Sequence, residues 1–166
     1  TLRRSSAASD VYKRQMDNII RITKEFKFET SHALSGHDGL CKNVHGHSYK
    51  LSVTVIGKPS QDPNNPKYGM VMDFSDLKKI INNIIVEPFD HAAVLNIHSN
   101  KKLVSFMEDQ GHKIVKVDYQ PTSEMMILDF AERIKSNLPN KVKLHHLILR
   151  ETETCFAEWH SSDYKS

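Results

Sequence analysis

The sequence predicts an α+β fold, in which an antiparallel four-stranded sheet carries two main helices on one face. Two long stretches alternate apolar and polar residues with a period of two, as half-buried strands do. Two other stretches place apolar residues three and four positions apart, which is typical of helices that bury one side. We therefore expect the helices to cover the apolar face of the sheet.

The length and composition fit one domain. The chain has 166 residues, of which 39% are hydrophobic and 26% are charged. Residues 1–15, TLRRSSAASDVYKRQ, lack apolar periodicity and precede Met16. They also lack the apolar core of a secretory signal. We interpret them as a non-native or disordered leader and expect a single domain over residues 16–166.

The charge and cysteine content narrow the classes of partner. The net charge is only +3 and the basic residues are dispersed, which argues against nucleic acid and anionic membranes as partners. No stretch of about 18 apolar residues occurs, so we expect no membrane span. The two cysteines, Cys41 and Cys155, are far apart, which favours a reducing, cytoplasmic location over a disulfide framework.

The two long strands are the first elements. Residues 19–32 alternate, with Phe26, Phe28 and His32 on one face. A second alternating stretch runs from His45 to Gly57. Its first face carries two histidines and then apolar residues: His45, His47, Tyr49, Leu51, Val53 and Val55.

A loop and the first helix follow. The segment SQDPNNPKYG is rich in turn-forming residues, and MVMDF is predicted as a short strand. The helix should begin with Ser75 as its N-cap and end at Pro88. Its predicted buried stripe consists of Phe74, Leu77, Ile81, Ile84 and Ile85.

Shorter elements precede the second main helix. The segment FDHAAVLN is apolar apart from Asp90 and His91, and a short helix is predicted over residues 101–110 with Gly111 after its end. HKIVKVDY reads as a strand. Thr122 or Ser123 should cap the second main helix, whose stripe is Met126, Phe130, Ile134 and Leu138. KLHHLILRETETCFAEW is predicted as one final strand.

Three histidines form a candidate zinc site. On a strand, residues i and i+2 point the same way, so His45 and His47 can bind one ion together. Gly46 between them leaves the opposite face free of bulk. His32 ends the apolar face of the other long strand, and pairing of the two strands would bring three imidazoles together, as in catalytic zinc sites. The alternatives are hydrogen-bonded core histidines, and Cys41 as a fourth ligand.

Two further features carry acid–base potential. Asp90 followed by His91 is the usual residue pair of a general acid–base, but adjacent strand residues face opposite ways, so direct contact within one chain is not expected. The alternative is a surface dipeptide. Glu151 continues the apolar face of the last strand, where a carboxylate needs a partner. A pterin or guanine ring offers two adjacent N–H donors; the alternative is a salt bridge with Arg150 or Lys143.

Five motifs together resemble the 6-pyruvoyl-tetrahydropterin synthase family. They are FETSHAL, C-x-x-x-H-G-H-S-Y, DHAAVLN, PTSE and RETETCFAEW, in this order. The resemblance covers residues 19–159 and is greatest to the bacterial 6-carboxy-tetrahydropterin synthase branch of queuosine biosynthesis. It implies the tunnelling fold, whose subunits form barrels as trimers or hexamers with the active site at a subunit interface.

The resemblance also implies the role of each site residue. The zinc ligands would be His32, His45 and His47. The catalytic residues would be Cys41 as general base and the relay partners Asp90 and His91. The pterin-binding residues would be Glu151, Thr122, Ser123 and Glu124. Across the interface, Asp90 and His91 could complete the relay to Cys41 of a neighbouring chain.

The implied reaction is zinc-dependent cleavage of 7,8-dihydroneopterin triphosphate to 6-carboxy-tetrahydropterin, acetaldehyde and triphosphate. The pyruvoyl-forming synthase, which eliminates triphosphate, would use the same residues. A zinc hydrolase would need a motif such as H-E-x-x-H, which does not occur. A non-catalytic zinc- or pterin-binding protein is the remaining alternative. Two segments, residues 58–70 and 98–117, are longer than in compact family members.

Overall fold

A computed structural model describes residues 18–164, which form an α+β fold around one six-stranded mixed sheet. The predicted leader over residues 1–15 lies outside the described part of the chain. The strands are β1 (Ile20–His32), β2 (His45–Gly57), β3 (Ala92–Asn96), β4 (Ile114–Val117), β5 (Val142–Arg150) and β6 (Phe156–His160). Their order in the sheet is β4-β3-β1-β2-β5-β6. The prediction of a four-stranded antiparallel sheet was therefore wrong in strand number and in direction.

The centre of the sheet follows the predicted alternation. β1 and β2 pair antiparallel along their whole length, with His32 opposite His45 and Phe28 opposite Tyr49. The rings of Phe28 and Tyr49 stack with centroids 5.6 Å apart. Their buried face packs against the two main helices in one hydrophobic core.

Two parallel strands at one edge of the sheet are part of the reason that the predicted strand number and direction were wrong. β3 pairs parallel with β1, and β4 pairs parallel with β3. β3 is five residues long and four of them are buried, so it shows no alternation that would reveal a strand. The FDHAAVLN segment was therefore predicted only as apolar.

The C-terminal segment contains two strands where one was predicted. β5 pairs with β2, and β6 folds back to pair antiparallel with β5. The connection closes where the N–H of Glu151 donates to the carbonyl of Cys155 over 3.1 Å. The sequence RETETC contains neither glycine nor proline, so its turn gave no composition signal.

The first main helix differs from the prediction in its start. α1 (Phe74–Ile81) is capped by Asp73, whose side chain accepts from the N–H of Ser75, so Ser75 is not the cap. No strand forms over residues 70–74, and Phe74 is half exposed. The helical path continues through a π-helical turn (Asn82–Val86) and one α-turn (Glu87–Phe89). Pro88 lies in that last turn, where it has no N–H to continue the i to i−4 ladder.

Two further helices complete the fold. α2 (Lys101–Asp109) packs its Val104 against Ala93 and Leu95, on the sheet face opposite the main core. Gly111 follows it with φ of +76°, as predicted. α3 (Ser123–Asn137) is capped by the Thr122 side chain. Only the two main helices thus share one face of the sheet. Within residues 18–164, no helix is long and apolar enough to cross a membrane.

Candidate active site

Three imidazoles meet where β1 ends and β2 begins. Because His32 and His45 are directly opposite, and His47 lies two residues further along β2, all three side chains leave the same face of the sheet. Nε2 of His32 lies 3.1 Å from Nε2 of His45. One nitrogen from each of His32, His45 and His47 lies within 4.8 Å of the other two.

Backbone carbonyls orient two of these rings. Nδ1 of His32 donates to the carbonyl of Pro121 over 2.6 Å, and Nδ1 of His45 donates to the carbonyl of Asn43 over 2.8 Å. A proton on Nδ1 leaves Nε2 with a free lone pair, which is the form that a metal ligand requires. Nε2 of His47 is buried and makes no hydrogen bond to any of the described residues.

Burial favours the neutral form of two of these imidazoles. Desolvation lowers the pKa of His32, although its hydrogen bond to Pro121 acts in the opposite direction. Desolvation also lowers the pKa of His47, against the opposing charge of Glu151. Three imidazoles whose nitrogens converge on one point are a donor set that fits a zinc ion.

Glu151 contacts the same cluster from the turn between β5 and β6. Its Oε1 lies 3.2 Å from Nε2 of His47 and 3.5 Å from Nε2 of His32. The hydroxyl of Tyr49 donates to the same oxygen over 3.1 Å. The Arg150 guanidinium instead donates to the carbonyl of Glu153, so the alternative of an Arg150–Glu151 salt bridge is not observed. The Glu151 side chain is 25% exposed and remains accessible to a ligand.

The start of α3 lies close to this cluster. Pro121 contacts His32 through its carbonyl, and Ser123 is buried with its hydroxyl next to that of Tyr49. The hydroxyl of Thr122 accepts from the N–H of Met125, which makes it part of the helix cap. Glu124 is exposed in the first turn of α3.

Cys41 lies in a short 3₁₀ turn (Leu40–Lys42) before β2. Its thiol is free and half buried, and its carbonyl accepts from the N–H of Leu34 over 2.9 Å. The cluster of ligand atoms formed by His32, His45 and His47 does not include Sγ of Cys41. The neighbouring Leu40 is 85% exposed, so an apolar side chain faces solvent beside the thiol.

Asp90 and His91 contact each other, contrary to the expectation. Nδ1 of His91 lies 2.9 Å from Oδ2 of Asp90. The pair lies before β3, and His91 has φ of +56°, so the strand rule that sends neighbours to opposite faces does not apply. Oδ1 of Asp90 accepts from the N–H of Glu29 over 2.8 Å, which is the main reason that the pKa of Asp90 is lowered.

Asp90 and His91 do not join the histidine cluster within one chain. Among residues 18–164, no hydrogen bond or ion pair links His91 to the three imidazoles. His91 lines a cavity of about 410 Å³ together with Glu29, Ser48, His112 and Lys113, and His47 of the cluster also contributes to its lining. Glu29 and Ser48 alternate with the cluster residues along β1 and β2, so this cavity opens on the other face of the sheet.

Tyr49 is a site residue that the sequence analysis missed. Its alternation with Leu51 and Val53 predicts a core position, and it is indeed fully buried. Burial, with a further contribution from the charge of Glu151, raises its pKa far above the ordinary value, so the hydroxyl keeps its proton and donates to Glu151. A tyrosine following H-G-H-S on one strand face was the available signal.

Comparisons with known proteins agree with this architecture. The chain matches the family described as 6-pyruvoyl tetrahydropterin synthase over residues 21–162. It is 34% identical over 143 residues to a 6-carboxy-5,6,7,8-tetrahydropterin synthase of Haemophilus influenzae, covering 85% of this chain and 99% of that protein. The structure resembles that of 6-pyruvoyl tetrahydropterin synthase from Caenorhabditis elegans, with a TM-score of 0.62, 24% identity and coverage of 87% and 96%.

This protein belongs to the 6-pyruvoyl tetrahydropterin synthase family. The family resemblance predicted from the five sequence motifs is thereby confirmed. One relative has a different name: a dihydroneopterin monophosphate aldolase of Pyrococcus furiosus is 32% identical over 131 residues, covering 79% of this chain and 89% of that protein.

Proposed function

We propose that this protein is a zinc-dependent 6-carboxy-tetrahydropterin synthase. It converts 7,8-dihydroneopterin triphosphate and water to 6-carboxy-tetrahydropterin, acetaldehyde and triphosphate, and so acts as a carbon–carbon lyase. The observation that carries the proposal is the position of Glu151, whose carboxylate lies 3.2 Å from His47 in the three-histidine cluster. The name of the Haemophilus influenzae relative supports the choice of product.

Glu151 holds the pterin ring. A carboxylate accepts two parallel hydrogen bonds, which matches the adjacent N–H donors of a pterin. Tyr49 fixes the carboxylate by donating to Oε1. Ser123, whose hydroxyl lies next to that of Tyr49, and its neighbours Thr122 and Glu124 line the pterin pocket at the start of α3.

His32, His45 and His47 would hold the zinc ion. When bound, a zinc ion would supply Lewis-acid chemistry that makes the side-chain hydroxyls of the substrate and the adjacent C–H more acidic. The carbonyls of Pro121 and Asn43 keep Nε2 of His32 and His45 directed into the cluster. Because the Glu151 carboxylate lies 3.2 Å from Nε2 of His47, a pterin ring held by Glu151 would have its side chain within reach of the histidine cluster.

Cys41 removes the substrate proton as a thiolate, and His91 returns protons with Asp90 holding its Nδ1. Because Asp90 and His91 face the other side of the sheet in their own chain, they serve the Cys41 of a neighbouring subunit. The active site therefore lies at the interface of a trimer or hexamer built as an oligomeric barrel. The exposed Leu40 and Val44 on either side of Cys41 support an interface here.

The proposed synthase domain covers residues 16–166. The proposed product places the protein in queuosine and deazapurine biosynthesis in the cytoplasm. Its proposed partners are a small-molecule pterin and further copies of the same chain, without nucleic acid or membrane. The role of the two longer segments is to shape the pocket rim or the contacts between subunits.

Product analysis tests the proposal. The zinc-loaded protein is incubated with 7,8-dihydroneopterin triphosphate, and pterins and aldehydes are identified by mass spectrometry. The expected products are 6-carboxy-tetrahydropterin and acetaldehyde. A pyruvoyl pterin with retained side-chain carbons would identify the 6-pyruvoyl-forming reaction instead. Pterin binding without turnover would identify a non-catalytic zinc- and pterin-binding protein.

A second substrate tests the reaction for which the Pyrococcus furiosus relative is named. The aldolase of Pyrococcus furiosus is named for a dihydroneopterin monophosphate. Cleavage of the monophosphate, with no turnover of the triphosphate, would assign this chain to that reaction. The proposal expects the triphosphate to be consumed at least tenfold faster.

A further inference from the structure

A second histidine cluster lies on the β5–β6 hairpin, apart from the candidate active site. His146 on β5 pairs directly with His160 on β6, and Glu158 lies two residues before His160. The three side chains therefore point to the same face of the sheet. This is not the core face, because their neighbours Leu147 and Trp159 are the residues buried against the helices.

The two clusters are on opposite faces of the sheet. His45 and His47 share a face of β2 with the buried Leu51 and Val53. Val53 pairs with Leu147, whereas Thr54 pairs with His146. Because neighbouring residues of a strand alternate in direction, His146 leaves the sheet on the side away from the active-site histidines. An ion at one cluster cannot be shared with the other.

The ligand atoms have the spacing of a metal site. Nε2 of His160 lies 3.4 Å from Oε2 of Glu158, and Nε2 of His146 lies 3.9 Å from Oε1 of Glu158. One such atom from each of the three residues lies within 4.8 Å of the others. Zinc binds imidazole nitrogen and carboxylate oxygen at about 2.0–2.2 Å, so neighbouring ligand atoms of a tetrahedral ion lie about 3.3–3.6 Å apart.

The imidazole of His146 has a ring nitrogen without a hydrogen-bond partner among the described residues, and a bound metal ion would provide one. This nitrogen, Nε2, is buried. A buried polar atom without a partner destabilises the fold, and a metal ion bound to Nε2 would remove that cost. Glu158 and His160 are about two-fifths exposed, so an ion has access from solvent.

The neighbouring His145 is already engaged. The register shift in the pairing of β2 with β5 lies between His146 and Leu144, so His145 is the extra residue of a bulge. Its Nε2 accepts from Nε of Arg21 over 2.7 Å. The bulge thus gives the two adjacent histidines different surroundings: His145 is hydrogen-bonded to Arg21, whereas His146 belongs to the second cluster.

We propose that His146, Glu158 and His160 form a second metal site, which takes a divalent transition-metal ion of the zinc class. Two imidazoles and one carboxylate select such an ion over magnesium or calcium, which prefer all-oxygen ligand sets. The imidazoles of His146 and His160 are stacked with centroids 3.9 Å apart and planes 16° apart. Their lone pairs converge on one ion after a rotation about χ2, a torsion with a broad energy minimum in histidine.

The ion ties β5 to β6 at the open end of the hairpin, opposite the turn that carries Glu151. We expect weaker binding than at the three-histidine cluster, because the rings must rotate and two ligands are solvent-exposed. The second site should therefore fill after the first one, and filling it should raise the melting temperature.

The test is a zinc titration of the metal-free full chain, with bound zinc measured by equilibrium dialysis and elemental analysis. The unmodified chain should bind two zinc ions in two affinity classes. The variants His160→Gln and Glu158→Gln should still bind one zinc ion tightly at the three-histidine cluster, which shows that both variants are folded. Their affinity for the second zinc ion should fall at least tenfold. His145→Gln is the matched control and should keep both classes.

His45→Gln distinguishes the two sites in the opposite direction. It should lose the high-affinity zinc binding at the three-histidine cluster and keep the weaker binding at the second site. A single zinc ion per unmodified chain at millimolar zinc would overturn the proposal. Unchanged second-class binding in His160→Gln would also overturn it. In the unmodified chain, zinc beyond the first equivalent should raise the melting temperature, and a rise of equal size in His160→Gln would contradict the role as a strand tie.

Discussion

Oε1 of Glu151 lies 3.2 Å from Nε2 of His47, so the carboxylate from the last hairpin and the histidine cluster of the first two strands form one site. The contact follows from the strand register: Leu149 pairs with Leu51, which places the end of β5 beside the start of β2. A substrate that is held by Glu151 is therefore held next to the three histidines.

The first prediction concerns pterin recognition. Glu151→Gln keeps the size of the side chain but removes its charge. Because a hydrogen bond to a charged group contributes about 1.5–3 kcal/mol, we expect KM to rise roughly 10- to 100-fold while zinc content is unchanged. Steady-state kinetics with elemental analysis measures both. Glu153→Gln, in the same turn, is the control, and an equal effect there would refute a specific role for Glu151.

The second prediction concerns the thiol. A positioned general base contributes about 10²- to 10⁴-fold to a rate, so Cys41→Ala should lower kcat at least about 100-fold. Zinc binding should persist, because the three imidazoles form their cluster without Sγ of Cys41. Cys155→Ala removes the other, exposed thiol and should leave kcat unchanged. Full activity of Cys41→Ala would exclude it as the base.

The third prediction tests whether two subunits share one active site. Cys41→Ala and His91→Asn should each be inactive, and asparagine tolerates the positive φ of residue 91. If Cys41 of one subunit works with His91 of another, dissociating and reassembling the two variants together should restore part of the activity. Chromatography with a tag on one variant verifies the mixed oligomer. Mixed oligomers without activity would place both residues in one subunit.

The fourth prediction concerns Gly46, between the two β2 histidines. A Cβ at this position would lie 3.2 Å from the carbonyl oxygen of Thr30, tighter than an ordinary contact. Gly46→Ala should separate β1 from β2 locally and cost about 1–3 kcal/mol of unfolding free energy. It should also weaken zinc binding. Denaturant unfolding and a competition assay with a zinc chelator measure the two effects, and unchanged values for both would contradict the close approach.

The fifth prediction is a pH dependence of the metal-free protein, measured in excess chelator. Burial lowers the pKa of His32 below 6.5, the value assigned to the unfolded chain. Between the lowered pKa and about 6.5, the unfolded state binds more protons than the folded state, so stability rises with pH. The melting temperature should therefore fall on acidification below about pH 6.5. His32→Gln should reduce this dependence, and an unchanged slope would assign it to other groups.

Local side-chain direction is the part of the site that the sequence determined. The period of two in β1 and β2 predicted that His32, His45 and His47 would share the core face, and the structure has them there. The cap and the buried stripe of α3 were predicted for the same reason, since they depend on residues within a few positions of one another.

Tertiary structure decided the rest. The parallel strands β3 and β4 are short and buried, and their partners are distant in sequence, so no local period predicts them. The contact of Asp90 with His91 depends on the positive φ of His91, and that of Glu151 with His47 depends on strand register. Side-chain direction within a strand is a local property that a sequence expresses. Which strands become neighbours, and in what register, depends on the packing of the whole core.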